Sequence, residues 1–141
     1  MKKVLIVCAN YYPKYMFTLK SRAEFLLKKN KIKTKYIYVP GIFEIPVVIA
    51  RNIKKFDGFV ALGCVIKGET PHFEYISKAT FNALMYLAIQ NKKPIGNGII
   101  TALNKSQAVK RCGISNLTKS KGKGFEAAMA VIEVFKNVSK S

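Results

Sequence analysis

The chain holds one histidine, His72, which directly follows Pro71 at the start of a segment whose apolar spacing is helical. An imidazole there is eligible as a proton shuttle because its ordinary pKa lies near neutrality, although the same position suits a plain surface histidine. Just ahead, Gly68-Glu69-Thr70 presents backbone N–H groups at a helix start. Orphan donors and the helix dipole favour a phosphate or carboxylate at such a place, and an ordinary capped start uses the same residues. Glu44 follows Ile42-Phe43 within VPGIFEIP, residues 39 to 46, in a chain with seven acidic residues. It reads either as a functional carboxylate on a strand-end loop or as one that counters a helix dipole. Tyr11 and Phe43 offer faces for a planar heterocycle or lids for the core. Arg111 and Lys123 add cationic charge of the kind a phosphate site uses.

Other chemistries find less support. No set of His, Cys, Asp and Glu residues has metal-ligand spacing, so no metal site is expected. Cys8, Cys64 and Cys112 are odd in number, lack a CxxC spacing and fall in apolar or helical segments, which predicts free thiols in a reducing cytoplasm. The net charge of +18 invites a nucleic-acid or membrane-surface reading. Arg22, Arg51 and Arg111 are the only arginines among 25 cationic residues, however, and the lysines are scattered along the chain. Lysine lacks the planar fork that reads phosphates and base edges bidentately, so the charge is assigned to a solvated surface of a lysine-, asparagine- and isoleucine-rich composition, and nucleic acid is not expected as a partner.

With 141 residues and 15.8 kDa the chain fits a single domain, 1–141. Half of the residues are hydrophobic, which excludes a disordered chain. The opening MKKVLIVCANYYPK imitates a signal peptide but is too short and lacks a small-x-small cleavage site, so it is read as a strand. No apolar stretch approaches the roughly 18 residues of a membrane span, so no membrane partner is expected.

The elements that position the candidate residues follow from periodicity. Continuous apolar runs at Val4–Ala9 and Phe59–Ile66 predict buried strands, Thr34–Val39, which alternates and is rich in β-branched and aromatic residues, predicts another, and Ile95–Thr101 is read as a fourth. Helical spacing predicts helices over Pro13–Asn30, Glu44–Lys55, His72–Asn91, Asn104–Gly113 and Gly124–Asn137, with Thr70 as N-cap and Pro71 as first residue of the third. Ser115–Gly124 is polar and Gly-rich and reads as a loop. The order βαβαβαβαα predicts an α/β protein, a three-layer α/β/α sandwich around a four-stranded parallel sheet. In such a sheet ligands bind beyond the carboxyl ends of the strands, where the odd residues above cluster.

Taken together, VPGIFEIP (39 to 46), ALGCVIKGETPHFEY (61 to 75), SQAVKRCG (106 to 113) and GKGFEAA (122 to 128) resemble the lumazine synthase family over nearly the whole chain. The resemblance implies a flavodoxin-like sheet and a cytoplasmic transferase of riboflavin biosynthesis. That enzyme condenses 5-amino-6-(D-ribitylamino)uracil with 3,4-dihydroxy-2-butanone 4-phosphate to 6,7-dimethyl-8-ribityllumazine, releasing phosphate and water, without metal or organic cofactor. It also implies roles. Tyr11 stacks on the pyrimidine, Ile42, Phe43 and Glu44 hold the ribityl chain, and Val65 and Ile66 read the ring edge. Glu69 and Thr70 take the phosphate, and His72 is the acid/base. Arg111 and Lys123 clamp phosphate from a neighbouring subunit. Asn97, in Gly96-Asn97-Gly98, stands where the family has an aromatic wall; Gly122 stands for the usual Asn before Lys123, and Lys67 for a usual arginine. The link between Arg111 and Lys123 is longer than the family's common form, which with the short start implies a homopentamer, or a pair of them, with active sites between subunits rather than a shell. A functional link to riboflavin synthase is implied as well. Two rival readings are a basic α/β module that binds nucleic acid and a non-catalytic lumazine or flavin binder on the same fold.

Overall fold

A computed structural model describes residues 1–114 and 122–138. Four strands form one sheet, β1 (Lys3–Ala9), β2 (Lys33–Val39), β3 (Gly58–Ile66) and β4 (Ile95–Ala102), in the order β2-β1-β3-β4 with every pairing parallel. Five helices join and cover them: α1 (Pro13–Lys29), α2 (Ile45–Arg51), α3 (His72–Asn91), α4 (Lys105–Cys112) and α5 (Lys123–Val138). The three-layer α/β/α arrangement expected from the element order is the one observed.

Burial follows strand position. β1 is buried from Val4 onward and β3 from Gly58 to Cys64, because each has a neighbour on both sides and helices on both faces. β2 carries Lys33, Lys35, Tyr36 and Tyr38 exposed, as an edge strand tolerates. Alternation then divides the core. Val4, Ile6, Cys8, Val60 and Leu62 pack with Met16, Leu19 and Ala23 of α1, Ala108 of α4 and Ala128 and Ile132 of α5. Leu5, Val7, Phe59, Ala61 and Ile99 point the other way, against Ile45 and Ile49 of α2 and Leu84 of α3.

Helix boundaries differ from the sequence reading at three places. In place of a helix from Glu44 to Lys55 there is a 3-10 turn, Ile42–Glu44, followed by the shorter α2, which ends where Asn52 turns its side-chain amide back to donate to Val48 O at 2.8 Å. Pro71 stands just before α3 rather than inside it, at φ −71 and ψ 0, and its carbonyl accepts from Glu74 N at 3.1 Å; no Thr70 side-chain cap forms. Helix α5 begins at Lys123. Asn104 caps α4 as expected, its Oδ1 accepting from Gln107 N at 2.9 Å, and Gly113 closes that helix at φ 80. Of the expected loop Ser115–Gly124, residues 115–121 lie outside the described residues.

Close backbone approach sets α5 in place. A Cβ on Gly96 would overlap the carbonyl oxygen of Ala127, and one on Gly124 would overlap that of Leu19, so α5 lies directly on β4 and on α1. Helix α3 is packed less completely. Ser77, Thr80 and Leu84 are buried, but Tyr75, Met85, Tyr86 and Ile89 are each more than 60% exposed, far more apolar surface than one helix of a monomer usually shows.

Candidate active site

The carboxyl ends of β1 and β3 lie side by side at the point where the chain's strand order reverses, the crevice in which doubly wound sheets bind ligands. A cleft of about 420 Å³ opens there, within the range of small-molecule sites. Its walls come from Ala9, Tyr11 and Tyr12 after β1, from Gly41 to Glu44, from Cys64, Val65 and Ile66 at the end of β3, and from His72 and Ile76 of α3. The structure therefore brings seven of the sequence-predicted residues together: Tyr11, Ile42, Phe43, Glu44, Val65, Ile66 and His72.

Local geometry explains their placement. The Glu44 carboxylate accepts from Gly41 N at 2.9 Å, which ties the 3-10 turn together, and Phe43, between them in the chain, lines the cleft and is 63% exposed. Glu44 thus has a structural duty whatever else it does. Tyr11 is 71% exposed, yet its ring is met edge-on by Tyr12 with centroids 4.9 Å apart, and Tyr12 leans on Tyr15 of α1 at 5.6 Å. The sequence places Tyr12 with Asn10 and Tyr11 in the cluster that follows the first strand but gives it no role of its own. Burial, aided by the neighbouring Tyr11 and Cys64, pushes the Tyr12 phenol above its usual pKa, so it is a protonated donor at neutral pH. Cys64 lines the same cleft while almost wholly buried, and desolvation pushes its thiol up to about 11, which makes it a wall rather than a nucleophile. His72 is the first residue of α3 and is exposed at the cleft mouth.

A second cleft, of about 890 Å³, lies on the same rim at the β4 edge. It is formed by Ile99, Ile100 and Thr101, by Gln107, Lys110, Arg111 and Gly113 of α4 and its end, and by Gly122, Lys123 and Glu126 at the start of α5. Arg111 Nη1 donates to the carbonyl of Thr101 at 2.7 Å, which pins the guanidinium base against the strand end and leaves its other donors outward. Gly122 has φ +98, and a Cβ there would come within 2.6 Å of the Cys112 carbonyl. That contact and the positive φ account for a glycine ahead of Lys123. Lys110 is a third cation of the cleft that the sequence reading did not select.

Three expected residues line neither cleft. Glu69 and Thr70 are exposed in the turn before α3, beside the unpaired N–H groups of its first turn. Asn97 is exposed on β4, and its Oδ1 accepts from Ile99 N at 3.0 Å. Among the described residues no three His, Cys, Asp or Glu side chains come together as a metal site, and no helix is long and apolar enough to cross a membrane.

A parallel α/β sandwich whose strand-end crevice joins an aromatic ring, a histidine and a carboxylate, with a cationic cleft on the same rim, is built as a small-molecule enzyme of the doubly wound class. The 6,7-dimethyl-8-ribityllumazine synthase family model matches residues 1–139. A 6,7-dimethyl-8-ribityllumazine synthase of Bartonella tribocorum is 42% identical over 136 residues, covering 94% of this chain and 89% of the relative. One of Agrobacterium fabrum is 40% identical over 142 residues, 96% and 95% of the two chains. One of Blochmanniella pennsylvanica is 45% identical over 101 residues, 70% and 61%. The chain belongs to the 6,7-dimethyl-8-ribityllumazine synthase family, enzymes of riboflavin biosynthesis.

Proposed function

We propose that this protein condenses 5-amino-6-(D-ribitylamino)uracil with 3,4-dihydroxy-2-butanone 4-phosphate to give 6,7-dimethyl-8-ribityllumazine, and that it does so in the cytoplasm as a homopentamer or a pair of pentamers. The observation that carries the reading is the partition of nine of the twelve expected residues into two clefts with no lining residue in common. The strand-end cleft has what the pyrimidine needs: the Tyr11 face for stacking, the Ile42–Glu44 turn for the ribityl chain, and the backbone of Val65 and Ile66 for the ring edge. The edge cleft has what a phosphate needs, Arg111 and Lys123.

The chemistry uses both. The amine of the pyrimidine adds to the ketone carbonyl and water leaves; phosphate is then eliminated, and the ribityl-bearing nitrogen closes the ring with loss of a second water. His72 moves protons between nitrogen, carbon and the departing oxygens, while the cations and the N–H groups around Glu69 and Thr70 take the charge of the phosphate. Holding two reactants in one slot supplies a large further part of the rate. Because one protomer separates the two clefts, a complete site is assembled when the edge cleft of one subunit meets the strand-end cleft of the next, with Asn97 of β4 brought to the ring. The exposed apolar residues of α3 are the surface such a neighbour covers. The product is the substrate expected of riboflavin synthase, which is the functional link to that enzyme.

The test is formation of the fluorescent lumazine from the two substrates in EDTA, with and without protein. Acceleration well above the spontaneous background is expected; none from a folded, assembled sample sinks the reading and favours a binder on the same fold. A solution mass near five times 15.8 kDa, or twice that, is expected, and a particle near 60 subunits would refute the assembly.

A further inference from the structure

The sequence contains four Lys-Lys pairs, at 2–3, 28–29, 54–55 and 92–93, and each lies just ahead of a strand or at its first residue. In a parallel sheet all four strands begin at the same end, so pairs scattered along the chain converge on the pole opposite the catalytic rim. Strand order places them in sequence across the molecule as 28–29, 2–3, 54–55 and 92–93. At a strand spacing of about 4.8 Å the row spans roughly 15 Å.

Lys2, Lys3 and Lys29 lie over the rings of Phe135, Phe56 and Phe25, 5.2, 5.6 and 5.9 Å from the centroids, and remain exposed. Every cation of the row is exposed except Lys93, which is half-buried and donates to Ile53 O, and among the described residues none forms an ion pair. The carboxylate at this end, Asp57, is occupied by the backbone N–H of Lys3 at 2.8 Å. Two further features reinforce the pole. Lys31 and Lys92 sit at φ 60 and 53, the left-handed region that favours glycine, in the turns after α1 and α3, so the sequence places cations where the backbone prefers no side chain. A groove of about 310 Å³ runs beside the row, with Lys3, Lys28, Lys33 and Lys35 around Ile32 and Phe56.

Although the scattered lysines of the sequence gave no reason to expect a nucleic-acid partner, their gathering by the sheet changes that reading, and we infer that this pole is a binding surface for single-stranded nucleic acid, contacted through its phosphates without regard to sequence. A narrow row with a groove beside it suits a linear chain of phosphates rather than a plane of lipid headgroups. Ammonium groups neutralise phosphates as point charges and lack the planar fork that reads base edges, so binding is non-specific and governed by counterion release.

The experiment is fluorescence anisotropy of a labelled oligouridine of about 20 nucleotides with the full chain at about 50 and 200 mM salt. Binding with a log–log salt slope between about −3 and −6 is expected, since each neutralised phosphate contributes about −0.7 on a single strand. K28Q/K29Q and K54Q/K55Q, checked for folding by circular dichroism, are each expected to bind about tenfold more weakly with a shallower slope, with lumazine synthesis unchanged. K14Q/K105Q, which removes the same charge away from the pole, is expected to bind as the parent does. No binding at the lower salt, or an equal loss in K14Q/K105Q, overturns the proposal. So does binding to phosphatidylserine vesicles that exceeds binding to the oligouridine at equal charge.

Discussion

The two clefts on the catalytic rim are built in different ways. The strand-end cleft is shaped by backbone: the ends of two central strands, a 3-10 turn tied by one carboxylate, and a file of tyrosines. The edge cleft is shaped by charge at the ends of two helices, held by a guanidinium bound to a strand carbonyl and a glycine that permits the approach. Under the proposed function one cleft orders a planar molecule and its protons and the other neutralises an anion. The difference teaches that each half is separately breakable, and each break has its own kinetic signature.

The largest effect is expected at the edge cleft. Arg111→Ala removes a charged donor and leaves the Thr101 carbonyl without its partner, and should raise KM for the phosphorylated ketone by about two decades with a smaller change in kcat. Steady-state kinetics with the two substrates varied in turn checks it, and an equal rise in KM for the pyrimidine would erase the distinction between the clefts. His72→Ala should lower kcat by roughly one to two decades, the range for loss of a positioned acid/base in a reaction with some intrinsic rate. An unchanged kcat removes His72 from the mechanism. Mixing these two variants sharpens the comparison further. If complete sites lie between subunits, random co-assembly after joint refolding pairs an intact half with an intact half at about one interface in four, restoring about a quarter of the parental activity. Activity no greater than the average of the separate variants would put both halves of a site in one subunit.

The smallest effect concerns the wall of the strand-end cleft. Burial raises Cys64 to about 11, and Cys8 behind it to about 12, from an ordinary 9.0. Between pH 9 and about 11 the unfolded chain gives up the Cys64 proton while the folded chain keeps it, so the unfolded state binds fewer protons and stability falls as pH rises. The contribution is fully present below pH 9. Denaturant melts of Cys64→Ala across that window should show a flatter decline than the parent; parallel declines would mean that Cys64 is not held protonated by its burial.

Much of this was legible in the residues. Apolar runs identified β1 and β3 because both faces of a central strand are covered, and Asn104 with Gly113 marked α4 because caps are local chemistry. The VPGIFEIP turn was legible for a similar reason, since it closes on itself through the contacts of Gly41 with Glu44. Other features depended on what meets what. Glu44 was ambiguous between two duties until the Gly41 contact showed one of them. Pro71 was read as the first residue of its helix, the position proline favours, whereas α3 begins one residue later with Pro71 at its N-cap. Separation of Arg111 and Lys123 from His72 follows from the strand order, which no periodicity encodes. The gathering of the lysine pairs has the same origin.

The close seat of α5 on β4 also bears on how the sequence can drift. Every amino acid other than glycine carries a Cβ, so any missense change in the codon for Gly96 drives an atom into the Ala127 carbonyl, and one at Gly98 meets Leu62 and the Ala61 carbonyl. Between them Asn97 is exposed. A side chain is therefore accommodated at position 97, while one residue to either side an added Cβ would drive into the Ala127 carbonyl or displace the Leu62 side chain.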